Sequence, residues 1–244
     1  MKTFLNLTKK ILNKNPFRRL NYILNFSRKM TEDFIIKTAK AEIKSGSKIL
    51  DVGAGSVKYK KIFPDCIYKT QDFKQYGEID YISDITSIPV EESSFDVIIC
   101  TGVLEHTPRP DLAIKEFSRI LKKGGNLYLT APLMSGVHQA PYHFYGGFSR
   151  FWHLKYLNDY GFEEIDIKPK KGFFAFYSQE TFRAMLYIIK SKKWRYKIFA
   201  LLAFLLILIL VPLFFWLDKK NLATDDSFYN FTVGYLVKAK KNGK

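Results

Sequence analysis

The chain has 244 residues, of which 47% are hydrophobic and 25% charged, enough for one α/β domain with a buried core and some appendages. Its net charge of +16 is uneven: residues 1–45 carry +8 (11 basic, 3 acidic), residues 46–170 carry −1 (15 basic, 16 acidic) and residues 171–244 carry +9 (13 basic, 4 acidic). A nucleic-acid enzyme would carry its basic excess on the central block, so this distribution disfavours a nucleic-acid partner and favours an anionic membrane surface.

The cysteines and the spacing of potential metal ligands exclude two further classes of site. Cys66 and Cys100 are too few for a disulfide framework, and we expect both thiols to be reduced and buried near strands. The chain has neither a CxxC nor an HExxH motif, and no metal site is predicted.

Basic N-terminal helices are predicted over residues 1–45. Residues 1–30 contain eight Lys or Arg and no acid, with apolar residues at helical spacing on both sides of Pro16. Such a helix either lies on lipid headgroups or covers the sheet with a solvated basic face. A second helix is predicted over 31–44, because Glu32 and Asp33 fall in its first turn and the small residues 45–47 follow it.

Residues 46–170 alternate between strand and helix patterns. Apolar runs predict strands from residue 48 and at 67–71, 79–82, 95–100 and 126–131; helices are predicted just after residue 56 and at 111–121, the latter closed by Gly124 and Gly125. This alternation is typical of a parallel sheet with helices on both faces.

A glycine turn follows the first strand. The sequence KILDVGAGS ends the strand at Asp51, and Gly53 and Gly55 let the backbone turn sharply and approach a ligand closely because they have no Cβ. A dinucleotide fingerprint would place its third glycine at position 58, which is Lys58, so a nicotinamide cofactor is disfavoured.

The ordered motifs ILDVGAG, an acid after the second strand, Asp84-Ile85, FDVIIC, VLEH and RILKKGG resemble class I S-adenosylmethionine-dependent methyltransferases of type 11 over residues 46–168. The resemblance implies a Rossmann-like, mostly parallel sheet of seven strands, with S-adenosylmethionine as cofactor. It implies that the turn passes under the methionine part of the cofactor, that Asp72 accepts the ribose hydroxyls, that Asp84 accepts the adenine amine and that Ile85 packs on the ring. The cofactor residues are then Asp51, Gly53, Ala54, Gly55, Asp72, Asp84, Ile85, Thr101, Gly102 and Val103.

The segment after the fifth strand resembles methyltransferases associated with bacterial cell-surface polysaccharide pathways. His138, Pro141, Tyr142 and Phe144 match that pattern, whereas His143 replaces its usual Asp. The resemblance implies that this loop borders the acceptor pocket.

A general base is needed only if the acceptor loses a proton, and histidine titrates closest to neutral pH. The candidates for base or acceptor-positioning group are His138, His106 and His143. We expect His153, on a predicted helix, to be a packing residue, and Glu105 to orient its neighbours.

Residues 198–217 are twenty consecutive apolar residues, long enough to cross a bilayer. Residues 230–239 resemble the last strand of the same fold, however, so both ends of the apolar segment must lie on one side of a membrane. Three arrangements satisfy this condition. The segment could form a bent, re-entrant or interfacial helix broken at Pro212. It could pair with residues 173–189 as a helical hairpin, or it could pack on a partner or on a second copy in a homodimer. We expect a monotopic helix, with Trp194 and Tyr196 at the headgroups.

The predicted organisation has four parts: basic helices (1–45), an S-adenosylmethionine-binding core (46–170), a hydrophobic helical insertion (171–222) and the last core strand with a basic tail (223–244). The predicted enzyme works at the cytoplasmic face of the membrane and O-methylates a lipid-linked or cell-surface glycan. A quinone or lipid head-group methyltransferase and a non-catalytic, membrane-associated cofactor-binding or assembly protein are the alternatives.

Overall fold

A computed structural model describes residues 16–190, 206, 210–211, 213–214, 216–218 and 230–243, without the side chains of 16–24, 186 and 189. The expectations for residues 1–15, for Trp194 and Tyr196, and for most of the apolar segment 198–217 lie outside these residues. Contacts divide the chain into two compact units: Met1–Lys29 with Lys171–Val233, hereafter the flanking unit, and Met30–Lys170 with Gly234–Lys244, hereafter the core unit.

The core unit contains the predicted seven-stranded sheet, in the order β3-β2-β1-β4-β5-β7-β6. Its strands are β1 (Lys48–Val52), β2 (Ile67–Asp72), β3 (Tyr81–Ile82), β4 (Phe95–Thr101), β5 (Leu121–Pro132), β6 (Phe162–Pro169) and β7 (Gly234–Lys241). Neighbours from β3 to β5 pair in parallel, and β7 runs antiparallel between β5 and β6. The α/β, Rossmann-like prediction is confirmed.

Helices complete the fold. They are α1 (Pro16–Phe34), a π-helical stretch (Ile35–Ala39), α2 (Lys40–Glu42), α3 (Pro110–Ile120), α4 (Arg150–Asp159) and α5 (Phe173–Lys190), with short 3-10 turns at Lys60–Ile62 and Leu104–His106. Among the helices in the described part of the chain, none is both long and apolar enough to cross a membrane.

The central strands are buried on both faces, which explains their nearly continuous apolar sequences. Alternate residues of β1 and β4 enter two different clusters: Leu50 and Ile98 pack with Phe117 of α3, whereas Ile49 and Ile99 pack with Ile35. Helical residues therefore cover both faces of the sheet, as the alternating pattern predicts.

Strand β5 begins earlier than predicted. Leu121 pairs with Phe95 directly after the helix ends, and the register then shifts before Asn126 pairs with Val97. Gly124, at φ +73°, lies within this irregular stretch rather than closing the helix. The last strand is Gly234–Lys241, later than the predicted 230–239. The predicted start of a second helix at residue 31 is wrong, because α1 continues without a break from Pro16 to Phe34.

Candidate active site

The glycine turn follows β1 at the carboxyl edge of the parallel strands. Gly53 and Gly55 have φ values of +65° and +51°, in the left-handed region that favours glycine. A Cβ on Gly53 would lie 2.3 Å from Cγ2 of Val103, which follows β4. The turn therefore requires glycine at position 53 for both its conformation and its close packing.

Asp72, the last residue of β2, holds this turn in place. One carboxylate oxygen accepts the N–H of Gly55 at 3.0 Å, and the other accepts the N–H of Lys74 at 3.4 Å. The side chain is 5% exposed yet lines the cleft described below. Its position at the strand end suits the predicted contact with ribose hydroxyls.

Gln71, which was not predicted as a site residue, also supports the turn. Its side-chain oxygen accepts the N–H of Gly53 at 3.4 Å, while its NH₂ group donates to the carbonyl oxygen of Ser83 at 2.7 Å. The amide thus connects the turn after β1 with the segment after β3. Its position next to Asp72 at the end of a buried strand is the one signal that could have indicated it.

A cleft of about 1550 Å³ extends along these strand ends. Because ligand pockets usually enclose about 300–1,000 Å³, this cleft has room for a cofactor and an acceptor together. Seven of the ten predicted cofactor residues line it: Gly53, Gly55, Asp72, Asp84, Ile85, Gly102 and Val103. The absence of a Cβ at the glycine turn and the carboxylate at its edge fit S-adenosylmethionine.

Asp84 and Ile85 lie on the β3 side of the cleft. One Asp84 oxygen accepts from the backbone N–H and hydroxyl of Thr86, at 2.8 and 2.6 Å, which fixes the turn that carries it. Ile85 is 7% exposed and belongs to the core. The adenine contacts predicted for this pair remain predictions.

Three predicted cofactor residues, Asp51, Ala54 and Thr101, are not among the lining residues. Asp51 is 2% exposed, and its carboxylate accepts a hydrogen bond of 2.7 Å from the Tyr68 hydroxyl. Burial raises the pKa of Asp51 to about 7, although the Tyr68 hydrogen bond opposes that shift. Asp51 therefore joins β1 to β2 within the core instead of facing the cleft.

The three histidines proposed for the acceptor side lie together. The ring centroids of His106 and His138 are 4.8 Å apart, those of His138 and His143 4.6 Å, and those of His106 and His143 5.7 Å. We call these three residues the histidine cluster. His106 lines the cleft, so the cluster borders the same space as Asp72.

The main chain of Glu105 holds this region together. Its carbonyl oxygen accepts the N–H groups of Phe144 and Tyr145 at 2.9 and 3.3 Å, which holds the loop after β5 against the turn after β4. The Tyr145 hydroxyl adds a hydrogen bond of 3.0 Å to the carbonyl oxygen of Pro108.

His153 is a core residue, as expected. It is fully buried, and burial lowers the pKa of its imidazole to about 3. Its ring lies 6.1 Å from that of Tyr235 and 5.3 Å from that of Trp152. It takes no part in the cleft.

A group of exposed aromatic residues at the cleft was not predicted. The rings of Phe73 and Tyr142 meet at 5.2 Å, and the Lys74 ammonium lies 5.0 and 4.9 Å from their centres. Tyr76 and Phe144 also line the cleft and are 47% and 48% exposed. These rings follow strands β2 and β5 and leave aromatic surface open to a ligand.

Comparison with known proteins finds similarity to methyltransferases. The family model "Methyltransferase domain" matches residues 65–129, which are 65 of the 244 residues. A ubiquinone biosynthesis O-methyltransferase of Xanthomonas oryzae pv. oryzae is 27% identical over 103 residues, covering 35% of this chain and 43% of that protein. The chain thus spans less than half the length of this curated relative.

Solved structures share the fold. The [4+2]-cyclase SpnF has a TM-score of 0.54 at 18% identity, covering 88% of this chain and 81% of that chain. Haemonchus contortus phosphoethanolamine N-methyltransferase 2, in complex with S-adenosylhomocysteine, has a TM-score of 0.51 at 15% identity, covering 87% of this chain and 52% of that chain. The chain has the class I methyltransferase fold. Residues 65–129 belong to a methyltransferase domain, and the cleft beside them fits S-adenosylmethionine as a cofactor.

The Asp51–Tyr68 pair predicts a pH dependence of stability. The folded pKa of Asp51 is about 7 and an unfolded Asp titrates near 4, so between these values the folded state holds a proton that the unfolded state has lost. The contribution of Asp51 to stability is therefore lost as pH rises from about 4 to 7. Tyr68→Phe removes the donor to the ionised carboxylate, and we expect a loss of about 1.5–3 kcal/mol at alkaline pH and about 1 kcal/mol at acidic pH.

Urea unfolding at pH 5.5 and 8.5 measures this difference. Tyr76→Phe, which changes an exposed tyrosine, serves as the matched control and is expected to lose nothing measurable at either pH. An equal loss for Tyr68→Phe at both pH values contradicts the prediction.

Asp72→Asn is expected to weaken S-adenosylmethionine binding about 10- to 100-fold, because a hydrogen bond to a charged group contributes about 1.5–3 kcal/mol. The amide oxygen still accepts from Gly55, so the turn is retained. Calorimetry measures the affinity, and Glu78→Gln, which removes a charge from an exposed cleft residue, is the control. An equal loss of affinity in both variants would show that the effect comes from the overall charge of the cleft, and it would contradict the specific cofactor contact predicted for Asp72.

Proposed function

We propose that the chain transfers a methyl group from S-adenosylmethionine to an oxygen of a lipid-linked or cell-surface glycan at the cytoplasmic face of the membrane. The observation that carries this proposal is that one cleft is bordered both by the Asp72-supported glycine turn and by the histidine cluster. Its volume suits two ligands, with the methyl donor near the turn and the acceptor near the histidines.

The residues of the chain supply mainly alignment. Bound S-adenosylmethionine provides a methyl group already activated on a positively charged sulfur. The glycine turn and Asp72 fix the donor side, and the histidine cluster receives the acceptor hydroxyl. Alignment of this kind contributes about 7–11 kcal/mol in favourable intramolecular cases. A histidine that accepts the proton of the acceptor hydroxyl lowers the barrier to transfer further.

The lining of the cleft supports an acceptor that carries both a ring and an anionic group. Phe73, Tyr142 and Phe144 present aromatic surface on which a sugar ring can pack. Lys60, Lys61 and Lys74 line the same cleft, and lysine side chains bind phosphate groups as point charges. A glycan joined to its lipid through phosphate has both features.

The flanking unit supports action at a membrane. Residues 1–29 carry +8 and residues 171–233 carry +5, so this unit accounts for +13 of the net charge of +16. Tyr177, Tyr187 and Trp216 are 49%, 77% and 45% exposed. Basic charge together with exposed aromatic side chains favours the interface of an anionic bilayer.

Described residues at the end of the apolar segment contact the start of α5. Asp218 accepts the N–H of Gly172 at 3.1 Å and that of Ala175 at 3.3 Å, and the rings of Phe174 and Phe214 lie 5.6 Å apart. These contacts favour pairing of the segment with 173–189 among the alternatives. Its membrane placement as a monotopic or re-entrant element is part of our proposal.

A quinone acceptor is the second candidate, because the Xanthomonas relative is a ubiquinone biosynthesis O-methyltransferase. An aromatic acceptor would use the same exposed rings. The cyclase SpnF has a similar fold but is named for a different reaction. A protein that has this fold without methyltransferase activity is therefore the alternative that is not a methyltransferase. Asp72 and the two glycines at the cleft argue against loss of cofactor binding.

The activity test uses purified full-length protein, bacterial membrane extract and S-adenosylmethionine with a labelled methyl group. We expect label in the glycolipid fraction, and we expect His138→Ala to slow transfer about 100-fold without changing cofactor affinity. Val137→Ala, in the same loop and 80% exposed, is the control expected to retain activity. Label in the quinone fraction supports the second candidate, and absence of S-adenosylmethionine binding to folded protein overturns the enzymatic proposal.

Flotation with vesicles tests membrane binding. We expect the protein to float with vesicles containing anionic lipid, less with zwitterionic vesicles, and less at high salt because screening weakens surface attraction. The double change Tyr187→Ser and Trp216→Ser is expected to lower binding about tenfold, since each exposed ring contributes apolar area. Phe151→Ser, which changes a 63% exposed ring of the core unit, is the control. A wild-type protein that stays soluble and monomeric without lipid and does not float contradicts the membrane proposal.

A further inference from the structure

The histidine cluster brings three potential metal ligands together from two segments. His106 lies in the 3-10 turn after β4, and His138 and His143 lie in the loop after β5. One ring nitrogen of each residue lies within 4.8 Å of one nitrogen of the other two. A spacing of 32 and then 5 residues has no resemblance to HExxH, which explains why the sequence predicted no metal site.

Two of the imidazoles are held as metal-binding histidines usually are. Nδ1 of His106 is hydrogen-bonded to the carbonyl oxygen of Tyr142, and Nδ1 of His138 is 3.0 Å from the carbonyl oxygen of Gly136. A ring that donates one N–H to a backbone carbonyl keeps its other nitrogen, here Nε2, free to coordinate. Nε2 of His106 also lies 3.9 Å from the Glu105 carboxylate.

His143 provides an independent observation. Both of its ring nitrogens are shielded from solvent, and neither has a hydrogen-bond partner within the described ranges. Buried polar atoms are nearly always paired. The buried ring of His153 is likewise unpaired among the described residues, but it packs among aromatic side chains. The unpaired ring of His143 lies beside two further imidazoles, and this combination points to a missing ligand.

From these contacts we infer that the histidine cluster binds one divalent transition-metal ion, with zinc as the ion that fits three imidazoles and an open fourth position. Zinc–nitrogen bonds of about 2.0–2.1 Å in a tetrahedron place the nitrogens about 3.3 Å apart. The present separations of up to 4.8 Å therefore shorten when the ion binds. The site faces the acceptor part of the cleft, since His106 lines it.

The role of the ion rests on the proposed function. An acceptor hydroxyl that occupies the open position loses its proton to water more readily, because the ion stabilises the resulting negative charge. That oxygen then attacks the methyl carbon: the O–C bond forms as the C–S bond breaks, and the electron pair stays on sulfur as a neutral thioether. The cluster thus selects an acceptor with a coordinating hydroxyl. With the ion bound, its histidines act as ligands and the proton passes to water, in place of the histidine base described for transfer without metal.

Metal binding is tested on full-length protein stripped with chelator and then titrated with Co²⁺ or Zn²⁺. We expect one Co²⁺ per chain with the visible absorption of a tetrahedral site, displaced by Zn²⁺. His138→Ala and His143→Ala are each expected to weaken binding about 100-fold or more. Val137→Ala is the loop control, and S-adenosylmethionine calorimetry on every variant shows that the core unit is folded.

The outcomes separate this inference from the proposed function. Folded protein that binds S-adenosylmethionine but neither metal overturns the inference, as does Co²⁺ binding that is unchanged when both histidines are replaced. Methyl transfer that is insensitive to chelator, by protein without metal, leaves the proposed function standing and overturns the inference. Stoichiometric tetrahedral Co²⁺ binding without transfer to any membrane acceptor supports the site and removes the proposed function.

Discussion

The hydrogen bond from the Gly55 N–H to the Asp72 carboxylate is the constraint on which the cleft depends. It ties the turn after β1 to the end of β2, while Gly53 packs against Val103 after β4. The ends of three strands meet there, at the point where the strand order turns from β1 towards β4 and β5. Open α/β sheets bind ligands at such a switch point because the loops on its two sides diverge.

The fold and the donor side of the site followed from local sequence pattern. Buried parallel strands have nearly continuous apolar sequences, and residues at their carboxyl ends share one edge of the sheet. The sequence alone was therefore enough to place Asp72 and Gly53 close together. Gln71 could not, because its bond to the Gly53 N–H depends on the register that sets Gln71 opposite Val52. The early start of β5 depends likewise on pairing of Leu121 with Phe95.

The sequence predicted His106, His138 and His143 as separate candidates on the acceptor side, and it did not predict that the three lie together. His106 and the loop after β5 are brought together by the N–H groups of Phe144 and Tyr145, which both donate to the Glu105 carbonyl oxygen. Backbone bonds of this kind leave no periodicity in the sequence. His143 stands where methyltransferases with a similar loop usually carry Asp. Beside His106 and His138 the same replacement completes a set of three imidazoles.

The division of charge between the two units bears on how an acceptor would reach the cleft. The flanking unit carries +13, which leaves +3 on the core unit. With so little net charge the core unit would steer a diffusing anionic substrate only weakly. A lipid-linked acceptor needs no steering of that kind, because enzyme and acceptor held on one surface meet at a raised effective concentration. For the lipid-linked acceptor that we propose, the basic charge of the flanking unit would supply this attachment to an anionic membrane surface.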